Sequence, residues 1–171
     1  MKIAFTGTHS TGKTYSAKEL SQILKIPYIG NISRQLQEKG FKLNKSGEDI
    51  TQLAIYDAHK QIIINNNKFI CDRSMIDPLA YSITNNCTLE TLFIGWHNLL
   101  RYINEYNFIF YYPPIILLEN DGVRSMDIKY REQVNENIVM IINLLKELGY
   151  GKNIYIIDCV IEKRIKSIVN I

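Results

Sequence analysis

The sequence predicts an α/β domain in which a parallel sheet is buried between layers of helix. Three observations carry that prediction. Short apolar segments alternate with longer segments of helical spacing along the 171 residues. A glycine-containing loop joins the first apolar segment directly to the first helix. Charged residues follow the apolar segments at the places where such sheets bind ligands, beyond the carboxyl ends of the strands. Strands without polar alternation belong to sheets covered on both faces, and that pattern requires parallel strands joined by helical crossovers.

The elements can be justified in order. Lys2-Ile3-Ala4-Phe5-Thr6 is short, apolar and followed at once by glycine, so it reads as a buried strand. After Gly12, the positions Tyr15, Ala17, Leu20, Ile23 and Leu24 have helical spacing until Pro27 stops the helix. Pro27-Tyr28-Ile29 suits a second short strand, and residues 32–39 a short helix ending at Gly40. From Asp49 to Asn65 the apolar positions Ile50, Leu53, Ala54, Ile55, Ala58, Ile62 and Ile63 describe a long amphipathic helix. Lys68 to Cys71 is a third strand, and two helices follow over about 75–84 and 88–104. Phe108 to Tyr112 is a fourth strand, closed by Pro113-Pro114. A polar loop leads to a helix over about 127–148, which Gly149 stops; Ile154 to Ile157 is a fifth strand and 160–168 a last helix. One domain is expected over 1–171.

Composition narrows the class without naming a function. Apolar residues are 46% and charged residues 22%, which a globular chain with a real core shows and a disordered one does not. No apolar run is long enough to span a bilayer, so no membrane partner is expected. The formal net charge of +3 neither requires nor excludes nucleic acid. Cys71, Cys87 and Cys159 are scattered and form no metal-binding spacing, which fits a reducing, cytoplasmic setting.

The most specific motif is Gly7-Thr8-His9-Ser10-Thr11-Gly12-Lys13-Thr14, a full match to G-x-x-x-x-G-K-[ST] between a strand and a helix. The chemistry needs these residue types. Glycines allow the backbone to turn tightly toward an anion, and successive N–H groups then hold phosphate oxygens. The helix adds its positive end. Lys13 is expected on the outer phosphates and the Thr14 hydroxyl on magnesium. His9 is not demanded by the pattern and reads as a loop residue near solvent, contributing its main chain. Tyr15 completes the set expected beside the nucleotide, taken as ATP with Mg2+. No N/T-K-x-D element for reading guanine follows, and the chain is too short for the helical subdomain of a ring ATPase. A small kinase fits the length.

Two further patches fit that chemistry. Asp72 and Arg73 follow the third strand; Asp72 could orient magnesium or take a proton, and Arg73 could hold a phosphoryl group. The alternative is that Asp72 or Ser74 caps the next helix, with Arg73 as a surface partner. Asp77 and Tyr81 lie four apart on that helix and could line an acceptor pocket, although Asp77-Pro78 also suits a helical first turn. Arg124, in the polar loop, and Arg131, a turn into the following helix, suit a lid over about 113–131 that closes on the phosphates. Against that, Asp127 could simply cap the helix and Arg131 pair with Glu132 or Asn135.

In combination, GTHSTGKT, Arg34, DRSMIDPLAYS at 72–82, DGVRSMDIKYR at 121–131 and the helix ending KELGY resemble the P-loop nucleoside and nucleotide kinases, closest to the NadR-type (nicotinamide riboside kinase-like) group. The resemblance implies a three-layer P-loop NTPase fold: a five-stranded parallel sheet in the order 2-3-1-4-5, helices on both faces and a mobile lid. It implies an adenine pocket around Asp158 to Arg164, and an acceptor pocket between residues 31–60 and 72–105 that Arg34 helps to orient. Relatives often carry a glutamate where this chain has Asn31, which cannot act as a base. The expected activity is ATP-dependent phosphoryl transfer to a nucleoside-like hydroxyl or a nucleotide phosphate. A nucleic-acid-directed kinase and a nucleotide-dependent switch without an acceptor are the alternatives. Tyr56, Trp96 and Tyr81 could stack on a base, though aromatics at helical spacing are usually core. The acceptor and the oligomeric state, a homodimer included, are not legible.

Overall fold

A computed structural model describes residues 1–30, 32–43, 48–114, 127–158, 165 and 168. Arg124 and most of the expected lid, Asn31, and the 159–164 part of the expected adenine pocket lie outside the described residues. Of the expected last helix, Ile165 and Ile168 are described, both in helical backbone.

The strands are β1 (Lys2–Thr6), β2 (Tyr28–Ile29), β3 (Phe69–Cys71), β4 (Phe108–Tyr111) and β5 (Ile154–Ile156). The helices are α1 (Lys13–Leu24), α2 (Ile32–Glu38), α3 (Asp49–Asn65), α4 (Ile76–Thr84), α5 (Leu89–Tyr102) and α6 (Ile128–Glu147). All strands are parallel, in the order β2-β3-β1-β4-β5. That is the sheet the resemblance implied. None of the helices among the described residues is long and apolar enough to cross a membrane.

The small departures from the sequence reading have local causes. Proline lacks an N–H, so Pro27 contributes only its carbonyl, which accepts from Ile70 N at 2.8 Å, and β2 begins at Tyr28. Beyond Tyr102 the fifth helix tightens into a 3-10 turn over Ile103–Glu105. Its start is fixed by Thr88, whose hydroxyl accepts from Thr91 N.

The strand alternation divides the core in two. Ile3, Phe5, Ile70, Phe110 and Tyr112 pack on one face with Ala17 and Leu20 of α1 and with Ile168. Ala4, Phe69, Cys71, Ile109 and Tyr111 pack on the other with α3, α4, α5 and α6. Each fully buried large side chain contributes about 1.5–3 kcal/mol by leaving water. Tyr56 belongs to this core: it is 1% exposed, and its hydroxyl lies 2.7 Å from Ser82 Oγ.

The register sets where the site lies. Thr6 pairs with Tyr111, and Ala4 with Cys71. The chain therefore leaves β1, β3 and β4 along one edge, with Tyr112 N donating to Thr6 O at 2.9 Å.

Candidate active site

The loop after β1 is shaped by its backbone. Gly7 has φ 143°, and a Cβ there would lie 2.5 Å from the Tyr112 carbonyl oxygen, so only glycine lets the loop pass this close to the end of β4. Ser10 (φ 55°) and Gly12 (φ 83°) are left-handed. Such residues between right-handed ones turn successive N–H groups to one side and form an anion-binding concavity. Gly12 has no side chain to cap α1, so the helix presents its first-turn N–H groups and its positive end to the same space. Lys13 is buried and its ammonium curls back over the loop, donating to the Thr8 carbonyl and to Thr11 Oγ1. Thr11 Oγ1 in turn donates to Thr8 O at 3.0 Å. Tyr15 points outward, 60% exposed.

Asp72, just past β3, meets this loop. Its Oδ2 accepts from Thr14 Oγ1 at 2.8 Å and from the Tyr28 hydroxyl at 3.2 Å. Because Thr14 gives its hydrogen to the carboxylate, the lone pairs of its oxygen face elsewhere. A hydroxyl and a carboxylate are hard oxygen donors of the kind that magnesium takes alongside phosphate oxygens. These two residues fit that ion, and the concavity beside them fits phosphate.

Arg73 and Asp77 form an ion pair at 3.0 Å, with 17% and 1% of their side chains exposed. Asp77, expected beside Tyr81 on a pocket wall, is instead buried. Its Oδ1 also accepts from Gly7 N at 3.2 Å, and its Oδ2 from Thr6 Oγ1 at 2.7 Å and Ser74 N at 2.9 Å. The carboxylate thus ties the entry of the phosphate loop to the start of α4. The Arg73 guanidinium lies 5.3 Å from the centre of the Tyr81 ring. Burial opposes its charge, but Tyr81, Asp77 and Asp72 outweigh burial and hold its pKa above the ordinary arginine value.

His9 is fully buried, not near solvent, because the helix carrying Tyr81 covers it; Nδ1 lies 3.4 Å from the Tyr81 hydroxyl. Arg131 does not pair with Glu132 or Asn135 in α6. Its Nε donates to Thr8 Oγ1 at 3.4 Å and an Nη to Ser10 O at 3.3 Å, and burial lowers its pKa. Asp127 does cap α6, accepting from Tyr130 N at 3.0 Å. Arg34 stands exposed on α2. The structure thus brings Lys13, Thr14, Asp72, Arg73, Tyr81 and Arg131 around one loop, with Asp77 behind it.

Sequence reasoning missed Gln52 and His59. The buried face of α3 is Thr51, Gln52, Ile55, Tyr56, His59 and Ile63, whereas Ile50 and Ile64 are exposed. The face is rotated from the purely apolar positions, and the i, i+3, i+4, i+7 spacing of 52, 55, 56 and 59 was the available signal. Neither Gln52 Oε1 nor His59 Nε2 has a hydrogen-bond partner among the described residues.

Burial holds the His59 imidazole down to about 4; nearby Arg73 pushes the same way, and Asp77 and Asp72 oppose it. The unfolded chain, with histidine near 6.5, therefore binds more protons than the folded one between those values. Stability should be full above about pH 6.5 and fall by up to roughly 3 kcal/mol as pH drops through about 4. Urea midpoints at pH 7 and pH 4.5 should differ less in His59→Leu than in the parent. An equal difference would remove His59 as the cause.

Comparison with known proteins adds the family. A family model described as "AAA domain" matches residues 2–164. Deoxyadenosine kinase from M. mycoides, solved with dCMP and dCDP, is 18% identical with TM-score 0.69, over 99% of this chain and 97% of that one. The NadR protein solved with NR is 19% identical with TM-score 0.76, over 99% of this chain and 49% of that one. Shikimate kinase from Aquifex aeolicus is 13% identical with TM-score 0.63, over 99% of this chain and 95% of that one. No curated protein matches in sequence. At these identities the structural likeness shows the fold, that of the P-loop nucleoside and nucleotide kinases. The family model spans all of the sheet and the loop between β1 and α1, so the chain belongs to the AAA domain family and has a P-loop kinase fold.

Proposed function

We propose that the protein transfers a phosphoryl group from Mg·ATP to a small nucleoside-like or nucleotide acceptor. The observation that carries this reading is Arg131. It reaches from α6 to Thr8 and Ser10, 123 and 121 positions away, and so places a second buried cation against the loop that holds Lys13. Binding a triphosphate needs the loop and Lys13. Spreading charge over the oxygens of a transferred phosphoryl group calls for cations from more than one side.

In this reading the amides of residues 8–14 and Lys13 hold the donor, and Thr14 and Asp72 would hold magnesium. When bound, magnesium would neutralise charge on the outer phosphates. Arg73 and Arg131, with Arg124 from the lid, neutralise charge on the transferred group, while Tyr81 and Arg34 orient the acceptor. Asn31 cannot act as a base and Asp77 has both oxygens engaged, so for a hydroxyl acceptor Asp72 is the carboxylate that takes the proton. A phosphate acceptor needs no such step. Structural neighbours that are kinases of nucleosides and nucleotides, among them deoxyadenosine kinase and thymidylate kinase, support acceptors of these kinds.

The test is ADP release from Mg·ATP across a panel of nucleosides, deoxynucleoside monophosphates and nicotinamide riboside. One class should raise the rate many-fold over the acceptor-free rate. A rate equal with and without every acceptor would overturn the reading in favour of a nucleotide-dependent switch. Labelled phosphate appearing only on DNA or RNA would overturn it in favour of a nucleic-acid-directed kinase.

A further inference from the structure

We propose that Tyr28 is a positioning residue for the magnesium site, its ring folded over Gly30 so that its hydroxyl holds the Asp72 carboxylate against Thr14. The inference rests on the reading that Thr14 and Asp72 hold magnesium with the nucleotide, and it adds residues that neither the motif nor the family pattern supplied.

The geometry is local and unusual. Tyr28 opens β2, a strand of two residues at the edge of the sheet. Its side chain does not extend away from the strand but curls over the main chain that follows. A Cβ on Gly30 would lie 2.0 Å from the Tyr28 hydroxyl oxygen and 2.4 Å from Cζ. Gly30 is not among the positive-φ glycines, so its backbone is open to any residue. What forbids a side chain there is the tyrosine ring, not the conformation. The glycine makes room for Tyr28 to reach Asp72.

The contact is aimed at the carboxylate that accepts from the Thr14 hydroxyl. Asp72 Oδ2 accepts two hydrogen bonds, from Thr14 in α1 and from Tyr28 in β2. A carboxylate held by one donor can still rotate about its Cβ–Cγ bond. Two donors from different elements fix its plane, and neither of them uses Oδ1. Because both hydroxyls donate, Oδ2 is held as their shared acceptor and directed at Thr14, an arrangement that sets both hard oxygen donors side by side for a divalent cation. Lys18 Nζ lies 5.8 Å from the ring centre, a contact that a phenylalanine ring would keep. Ring packing and hydroxyl function are therefore separable by substitution.

The experiment measures ADP affinity of the full chain by calorimetry, once with Mg2+ and once with EDTA. The ratio of the two affinities reports the metal site, which a merely structural role for Tyr28 would not move. Tyr28→Phe keeps the ring and its contact with Lys18; it should lower the ratio about three- to tenfold, the worth of one ordinary hydrogen bond, with the metal-free affinity unchanged. Gly30→Ala should lower the ratio likewise by displacing the ring, yet have no further effect in a Tyr28→Ala background. An unchanged ratio in Tyr28→Phe, or equal losses with and without metal, would overturn the inference while leaving the nucleotide reading intact. A Gly30→Ala effect that persists in the Tyr28→Ala background would also overturn it. A parent protein whose ADP affinity ignores Mg2+ would overturn the magnesium reading and this inference together.

Discussion

Lys13→Ala is expected to lower turnover about a hundred- to a thousandfold, the usual loss when one preorganised charge donor is removed from a developing anion. Nucleotide affinity should fall less, because the amides of residues 8–14 and the end of α1 remain. The fold should survive. The ammonium donates to Thr8 O and Thr11 Oγ1, both within the loop. Without it, Thr11 Oγ1 still donates to Thr8 O at 3.0 Å. Arg131 cannot take over, since its guanidinium is held to Thr8 Oγ1 and Ser10 O from the α6 side. Lys13→Arg should not rescue, because a planar, forked guanidinium does not fit where a compact ammonium curls over the loop. Steady-state rates of ADP release, with melting curves as the control, check this. Near-parental turnover in Lys13→Ala would remove the residue from the donor site.

The sheet and the phosphate loop were legible because their signals are local. An apolar run bounded by glycine or proline announces a strand, and eight consecutive residues spell the loop. The place of Asp72 and Arg73 beside that loop was legible for a similar reason, since both directly follow a buried strand that pairs with β1. What could not be read depends on partners far apart in the chain. Asp77 meets Thr6 and Gly7 across about seventy residues, and Tyr28 meets Asp72 across 44. His9 is covered by a helix that carries Tyr81, 72 positions on. The face of α3 misled for a different reason. Its inward face runs through Gln52, Ile55, Tyr56, His59 and Ile63, so Ile50 and Ile64 stand outside while Gln52 and His59 go in. Hydrophobic spacing alone cannot rank those choices; the position of α4 and β3 does.

Asp77→Asn should be the most destabilising single change among the residues discussed. Gly7 N and an Arg73 Nη share Oδ1; Thr6 Oγ1, Ser74 N and Ser74 Oγ share Oδ2. Asparagine has the same shape but only one acceptor oxygen. Its amide group would turn donors toward donors, and the Ser74 N–H, unlike the Thr6 hydroxyl, cannot rotate away. The larger cost is electrostatic. Arg73 keeps its charge in a largely buried place, and removing one partner of such a pair typically costs about 3–5 kcal/mol. At roughly 2–4 °C per kcal/mol for a chain of this size, the melting temperature should fall by on the order of 10 °C. The origin of that loss can be separated from mere repacking. Arg73→Met in the Asp77→Asn background removes the stranded charge, so the double variant should be less destabilised than the sum of the two single changes. Strict additivity would mean that the pair contributes no coupling, and an Asp77→Asn protein as stable as the parent would mean that the carboxylate does not hold the loop at all. Where Asp77→Asn is still folded, at low temperature, its affinity for nucleotide should also drop, because one oxygen can no longer serve both Gly7 N–H and Ser74 N–H and the tie between the start of the loop and α4 is broken on one side.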